Sequence, residues 1–320
     1  MRQGNVTDEM LREQLRHVIK ATHFDFLGAR YEGKVRDCYV LGDERVLVTS
    51  DRLSCFDVVV TTVPFKGRVL NSLAVHWFER TGHIIRNHVL DVPDPNVMIV
   101  RNVEILPVEV IVRAYLTGSA WRDYEAGRPV SGVSLPPGMR PSQQLPEIVL
   151  TPSTKAEKGT HDQPISEEEI VSRGLVEKTL WDEIREAARA LFAFGQEQAA
   201  ERGLILVDTK YEFGLLGGRL VLADEIHTLD SSRYWIAGSY RERFERGEPP
   251  EMLDKEPVRQ WLLGQGYKGD GPVPHFSDEY RVQLARHYID SFERISGLEF
   301  AAETGPQLER IESTLRAALE

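Results

Sequence analysis

Leu204-Ile205-Leu206-Val207-Asp208-Thr209-Lys210-Tyr211-Glu212-Phe213-Gly214 is apolar for four residues and then charged at every second position. Alternate side chains of a strand share a face, so Asp208, Lys210 and Glu212 project together. The apolar opening indicates burial on both faces, where a charge requires a partner or a metal. Gly217-Gly218 then separates this run from a second strand over 219–226 that carries Ala223-Asp224-Glu225, which defines a hairpin. Glu212 and Asp224 stand opposite one another only across an odd loop such as 217–219, because a two-residue turn places them on opposite faces. An odd loop or a bulge is therefore expected, with two convergent carboxylates offering the oxygen ligands of a hard Mg²⁺ bound to nucleotide phosphates. A solvated charge ladder is the alternative.

Composition bounds the partners. The 320 residues hold 39 Lys+Arg against 50 Asp+Glu, a net charge of −11, which opposes sequence-independent binding to nucleic acid or anionic membrane. An anionic ligand must find a local basic pocket. At 41% hydrophobic and 28% charged residues the chain is an ordinary globular one, one large unit or two, and not a disordered or fibrous one. Two cysteines, Cys38 and Cys55, are too few for a disulfide framework. The first twenty residues lack an apolar signal-peptide core, and no apolar run reaches membrane-span length. The expected compartment is the cytoplasm, where the acceptor-like Asn5-Val6-Thr7 is a chance match.

Along the chain, Thr7-Asp8-Glu9 opens a short amphipathic helix carrying Met10, Leu11, Leu15, Val18 and Ile19. Residues 34–40, 45–49 and 56–63 read as strands of an antiparallel meander, followed by a helix over 69–81. Strands over 97–103 and 108–112 flank Pro107, the expected hinge between a small N-terminal unit and a larger one. Six prolines in residues 129–152 predict a long irregular loop, functional or merely a connector. Residues 175–202 form a helix with Trp181, Ile184, Ala188, Leu191, Phe192 and Ala199 on its buried face. The C-terminal third is mainly helical, with starts at Ser277 and Pro306.

Several segments bear on anions. Residues 28–35 nearly match a phosphate-binding loop, but Val35 offers no hydroxyl and a strand follows where a helix is required. Lys34 and Arg36 either cover a triphosphate from a glycine-containing turn or are solvated cations on an edge strand. Arg113 to Ser119 combines a guanidinium fork, a glycine turn and a hydroxyl. Asp230-Ser231-Ser232-Arg233, read as closing the strand of Asp224, offers a similar set, and Thr151 to Glu157 adds Lys155 near His161-Asp162. Gly264-Gln265-Gly266-Tyr267-Lys268-Gly269 spells a dinucleotide fingerprint in the wrong context and reads as a turn. No hydrolase-type nucleophile motif or ligand-spaced histidine cluster occurs.

Taken in order, Gly33 to Asp37, Asp51 to Asp57, Lys66 to Leu70, Trp77 to Glu79, Glu109 to Arg113, Gly118 to Trp121, Thr151 to Glu157 with His161-Asp162, Asp208 to Gly214 and Ala223 to Arg233 resemble the SAICAR synthetase family of purine biosynthesis. The resemblance runs from about Tyr31 to Arg259, and the ordered series is far more specific than any one motif. It implies an α+β fold of ATP-grasp and kinase-like, two-lobed architecture. Residues 1–104 would be a β-rich nucleotide-binding lobe, and 105–320 an α+β lobe with the C-terminal helices, ATP lying between the lobes. It implies a ligase that joins L-aspartate to carboxyaminoimidazole ribonucleotide using ATP and Mg²⁺. A kinase on the same fold or a non-catalytic nucleotide-binding module are the rival readings.

By the same resemblance, Lys34 and Arg36 would cover the ATP phosphates, Lys155 would add a phosphate contact, and Glu212 and Asp224 would hold Mg²⁺. Val103, Glu104 and Ile105 would meet the adenine edge, mainly through backbone. Arg113, Ser119 and Arg233 would hold the ribonucleotide phosphate beside Lys210 and Asp208, with Asp230 and Ser232 in the same segment and Asp208 a candidate for orienting Lys210. Ser54, Asp57, Lys255 and Arg259 are the candidates for aspartate. Cys55, Phe65 and Leu229 depart from the residues usual in the family, and none removes a charge assigned above. The residues beyond about Gly266 resemble those of the longer members.

Overall fold

The computed structural model describes residues 6–155 and 162–320. Asn5, residues 156–157 of the lysine-bearing segment, and His161 lie outside the described residues. In chain order the elements are α1 (Asp8–Gln14), β1 (Arg30–Glu32), β2 (Arg36–Leu41), β3 (Glu44–Thr49), β4 (Arg52–Cys55), β5 (Val58–Thr62), α2 (Lys66–Thr81), β6 (Val89–Asp94) and β7 (Val97–Arg101). Then come β8 (Glu104–Tyr115), α3 (Gly118–Glu125), β9 (Gln144–Leu150), β10 (Ser153–Thr154), β11 (Gln163–Pro164), α4 (Glu167–Ser172), α5 (Lys178–Glu201) and β12 (Leu204–Leu216). β13 (Arg219–Ala223), β14 (Ser232–Ile236), α6 (Ala237–Glu245), α7 (Glu256–Gly264), α8 (Asp278–Ser296) and α9 (Gln307–Leu319) complete the described chain. No helix among the described residues is long and apolar enough to cross a membrane.

The chain divides into two compact units. One comprises Met1–His76, His88–Asn102 and Asp254–Glu320, the other Trp77–Asn87 and Val103–Leu253. The first is built on an antiparallel sheet of order β1-β2-β3-β7-β6, with β4-β5 as a separate hairpin. Its core joins Tyr39, Val46, Val48, Val97 and Ile99 to Ile311 and Leu315 of α9. That corrects the division expected from sequence, because the C-terminal helices cluster with the N-terminal residues. The apolar stripe of α9, spaced four residues apart, finds its partner on the β-rich core.

Two local expectations change for identifiable reasons. α1 ends at Gln14 rather than near Ile19, and the Ile19 amide donates instead to the buried Asp51 carboxylate at 2.8 Å. The other Asp51 oxygen accepts from the Gly67 amide at 2.9 Å, and burial pushes the Asp51 carboxyl up to about 6 in spite of both bonds. The strand expected over 56–63 begins only at Val58, since Phe56 (φ 53°) and Asp57 (φ 62°) form a left-handed turn between β4 and β5.

The second unit is an antiparallel sheet of order β11-β10-β8-β12-β13, with β14 also on β12 and β9 on β8. The predicted face of α5 is buried. Pro107 is not a hinge. It lies inside β8, where the pairing with β12 shifts between Glu212 and Gly214, and that bulge accommodates a residue with no N–H to donate. The proline-rich segment is only partly irregular, because β9 crosses it and Val130, Met139, Leu145 and Val149 pack with Leu116 and Ala120.

Candidate active site

The decisive hairpin has an even turn, which corrects the odd loop expected from sequence. Leu216 pairs with Arg219 across Gly217 (φ 58°) and Gly218 (φ 75°), so Glu212 stands opposite Ala223 and not Asp224. A turn with two positive φ angles matches strand twist, which is why two glycines specify it. Asp224 follows the last paired residue with φ 66°, a left-handed step that breaks the alternation. Its charge is still near enough to help raise Lys210, after Glu212 and Glu109.

Asp208, Lys210 and Glu212 share a face as the alternation requires, opposite Arg113, Ile111 and Glu109 of β8. The buried Arg113 guanidinium donates to Asp208 Oδ2 at 2.6 Å, to Thr151 Oγ1 at 2.7 Å and to Ser119 Oγ at 3.0 Å. Arg233, opposite Asp208 on β14, donates to the same Oδ2 at 2.6 Å. Two guanidiniums thus share one carboxylate, leaving this cluster electropositive beside the Ser119 hydroxyl at the start of α3. Burial lowers Arg113, with Arg233 adding to the effect and Asp208 opposing it. Glycine suits position 118 because its φ of 60° is left-handed and a Cβ, 2.4 Å from Arg233 Nη2, would push that guanidinium off Asp208.

One step along the sheet the sign reverses. Lys210 Nζ donates to Glu109 Oε1 at 2.6 Å and to Glu212 Oε1 at 3.2 Å, while Lys155 pairs with Glu212 Oε2. Burial alone pulls the Lys210 ammonium down, but Glu212, Glu109 and Asp224 outweigh it and the group is raised. Burial raises the Glu109 carboxyl, against the pull of Lys210. Glu109 entered the sequence reading only as the first residue of the segment Glu109 to Arg113 and was given no role there. Counting back in twos from Arg113 through Ile111 is the signal that finds it.

Asp208 serves the two arginines, and Lys210 is held by Glu109 and Glu212, so Asp208 is not the group that orients Lys210. Asp230 to Arg233 leads into β14 and does not close the strand of Asp224. Ser232 Oγ lies 2.7 Å from Thr209 Oγ1, a partner that alternates away from Asp208. Val103 packs with Val221 and Ala223, Glu104 pairs with Leu215, and Ile105 pairs with Gly214.

In the first unit, Gly33 N donates to Arg36 O at 2.8 Å, closing a tight turn that leads into β2, as the failed loop motif implied. Lys34 pairs with Asp57 on the β4-β5 turn. Arg259 of α7 places its guanidinium 4.9 Å from the Phe56 ring centroid, Lys255 precedes α7, and Ser54 is buried in β4. Arg36 opens β2 opposite Thr49. Lys34, Asp57 and Arg259 thus gather around one hairpin turn.

Residues 29–274 match the family model for SAICAR synthetase. The chain is 47% identical over 302 residues to the phosphoribosylaminoimidazole-succinocarboxamide synthase of Bacteroides thetaiotaomicron, covering 92% of this chain and 96% of that protein. The SAICAR synthase of Saccharomyces cerevisiae, solved in complex with SAICAR, superposes with a TM-score of 0.79 at 31% identity, over 89% of this chain and all of that one. A SAICAR synthetase solved with ADP superposes with a TM-score of 0.66 at 26% identity, over 86% of this chain and 100% of that chain. The α+β fold is ATP-grasp-like, and the class is that of ATP-dependent carbon–nitrogen ligases. The chain belongs to the SAICAR synthetase family, which joins L-aspartate to carboxyaminoimidazole ribonucleotide in purine biosynthesis.

Proposed function

We propose that the Arg113, Ser119 and Arg233 cluster holds the phosphate of carboxyaminoimidazole ribonucleotide, and that Glu212 and Asp224 hold Mg²⁺ with ATP. The arrangement that supports this most directly is the sign reversal along one sheet face. An electropositive fork lies two residues along β12 from a carboxylate-rich patch, matching a ligand with a phosphate at one end and a metal-associated carboxylate at the other. Glu212 and Asp224 are hard oxygen donors that, with Glu109, already hold the charge of an ammonium, so this pair suits a divalent cation whose other ligands come from phosphate or water oxygens. When bound, Mg²⁺ would offset charge on the transferring phosphoryl group.

Lys34 and Arg36 contact the ATP phosphates, Lys155 adds a further cation, and Val103, Glu104 and Ile105 meet the adenine. Ser54, Asp57, Lys255 and Arg259 bind L-aspartate, the cations facing its carboxylates. The enzyme works in the cytoplasm, where this pathway draws on ATP and aspartate. In the first step a carboxylate oxygen of the ribonucleotide attacks the γ-phosphorus and ADP leaves. The aspartate amine then attacks the acyl carbon and loses a proton, and phosphate departs with that oxygen. Lys210, fixed by Glu109, and Lys34 balance the charge that builds up. Water must be kept from the acyl phosphate.

The test is to run the reaction with the ribonucleotide carboxylate labelled with ¹⁸O and to weigh the products. One labelled oxygen in the released phosphate, with ADP formation dependent on aspartate for turnover, supports the acyl-phosphate route. Unlabelled phosphate would rule it out.

A further inference from the structure

Both oxygens of Glu212 are engaged by ammonium groups, Lys155 on Oε2 and Lys210 on Oε1. The two lysines are not equivalent. Lys210 has a second and closer carboxylate, Glu109 at 2.6 Å, and its side chain is 31% exposed. Lys155 has Glu212 as its ion-pair partner among the described residues, and its side chain is 40% exposed. A divalent cation that takes Glu212 as a ligand meets both ammoniums at close range, and that repulsion is relieved by moving one of them away. Losing Lys155 costs less, because its ammonium can rehydrate while Lys210 stays neutralised by Glu109.

We propose that Lys155 competes with the divalent cation for Glu212, so that metal entry releases the Lys155 ammonium toward the nucleotide phosphates. This rests on the metal assignment to Glu212 and Asp224. The exchange keeps the local charge balanced. Two lysines stand against Glu109, Glu212 and Asp224, and the arriving metal brings its charge as the freed ammonium turns to the phosphates that accompany it. Metal and nucleotide then support one another's binding, by the reciprocity that any such coupling obeys.

The test uses the full chain without nucleotide and Mn²⁺ as the probe, with free Mn²⁺ read by electron paramagnetic resonance. Lys155→Met removes the competing charge at nearly constant length, and Mn²⁺ affinity should rise by roughly three- to tenfold, the scale of one ion pair in a partly wet site. Unchanged affinity in Lys155→Met would overturn the competition, provided that Glu212→Gln weakens Mn²⁺ binding. If Glu212→Gln leaves Mn²⁺ affinity as it was, the metal assignment itself fails. A second readout is acetylation of lysines by an N-hydroxysuccinimide ester, followed by peptide mass spectrometry. Mg²⁺ should raise the labelling rate of Lys155 several-fold and leave Lys210 unchanged, and Glu212→Gln should raise Lys155 labelling without Mg²⁺. Labelling of Lys155 that ignores both would overturn the proposal.

Discussion

Asp208 accepts from Arg113 and Arg233 through a single oxygen, so two cations depend on one charge. Asp208→Asn keeps the shape and removes that charge, leaving a buried guanidinium without its counter-ion and turning both forks away from their present alignment. Charge-assisted hydrogen bonds contribute about 1.5–3 kcal/mol, so kcat/KM for the ribonucleotide should fall ~10- to 100-fold, measured by steady-state kinetics against a fold check by circular dichroism. An unchanged kcat/KM would remove this cluster from substrate binding. Asp224 is half-buried and lies beyond the paired part of the hairpin. Asp224→Ala should abolish turnover at saturating substrates while the chain still folds, with about 1–2 kcal/mol lost because alanine is strained at φ 66°. A fully active Asp224→Ala enzyme would sink the metal assignment. Phe65 shows how packing can hold a non-glycine residue in a left-handed conformation. It takes φ 62° and is buried edge-on against Phe300, ring centroids 5.8 Å apart, so packing holds a conformation that glycine would adopt without strain.

Among elements, Asp51 ties the chain at Ile19 to the first turn of α2 at Gly67, and its titration should be visible in stability. Its carboxyl sits at about 6 in the folded protein against 3.8 for the free side chain, so between those values the folded state binds more protons than the unfolded one. The stabilising contribution of the protonated group is complete below the lower value and is lost as pH rises through about 6. Relative to Asp51→Asn, the wild type should therefore lose up to about 3 kcal/mol between pH 4 and pH 7.5, read as the difference between urea unfolding curves of the two proteins. A difference that is flat with pH would contradict it. The hairpin carries the converse lesson. Its two glycines dictate an even turn, and a strict face count from that turn would separate Glu212 from Asp224. The left-handed step at Asp224 escapes the count, because alternation holds only while the backbone stays extended.

Within the first unit as a whole, the C-terminal helices are structural members and not an appendage. Arg310 of α9 grips the buried Asp94 through two bonds, at 2.8 and 3.1 Å, and donates to Asn96 at 2.9 Å. Arg310→Ala would leave the Asp94 carboxylate buried and unpaired by Arg310, at a cost of about 3–5 kcal/mol. Thermal unfolding should show a large drop in midpoint, and a shift within a degree or so would mean that α9 contributes little.

Much of this was legible in the amino-acid order. The paired charges of β12, the buried face of α5, the turn that fails as a phosphate loop and the family itself follow from local periodicity and ordered motifs, which depend on backbone geometry a few residues long. Tertiary structure alone decided where Pro107 sits, which carboxylate holds Lys210, and to which unit the C-terminal helices belong. Each depends on a partner distant in sequence. A bulge exists only between two strands, Glu109 meets Lys210 only through the β8-β12 register, and the stripe on α9 accepts any apolar surface until the packed chain supplies one.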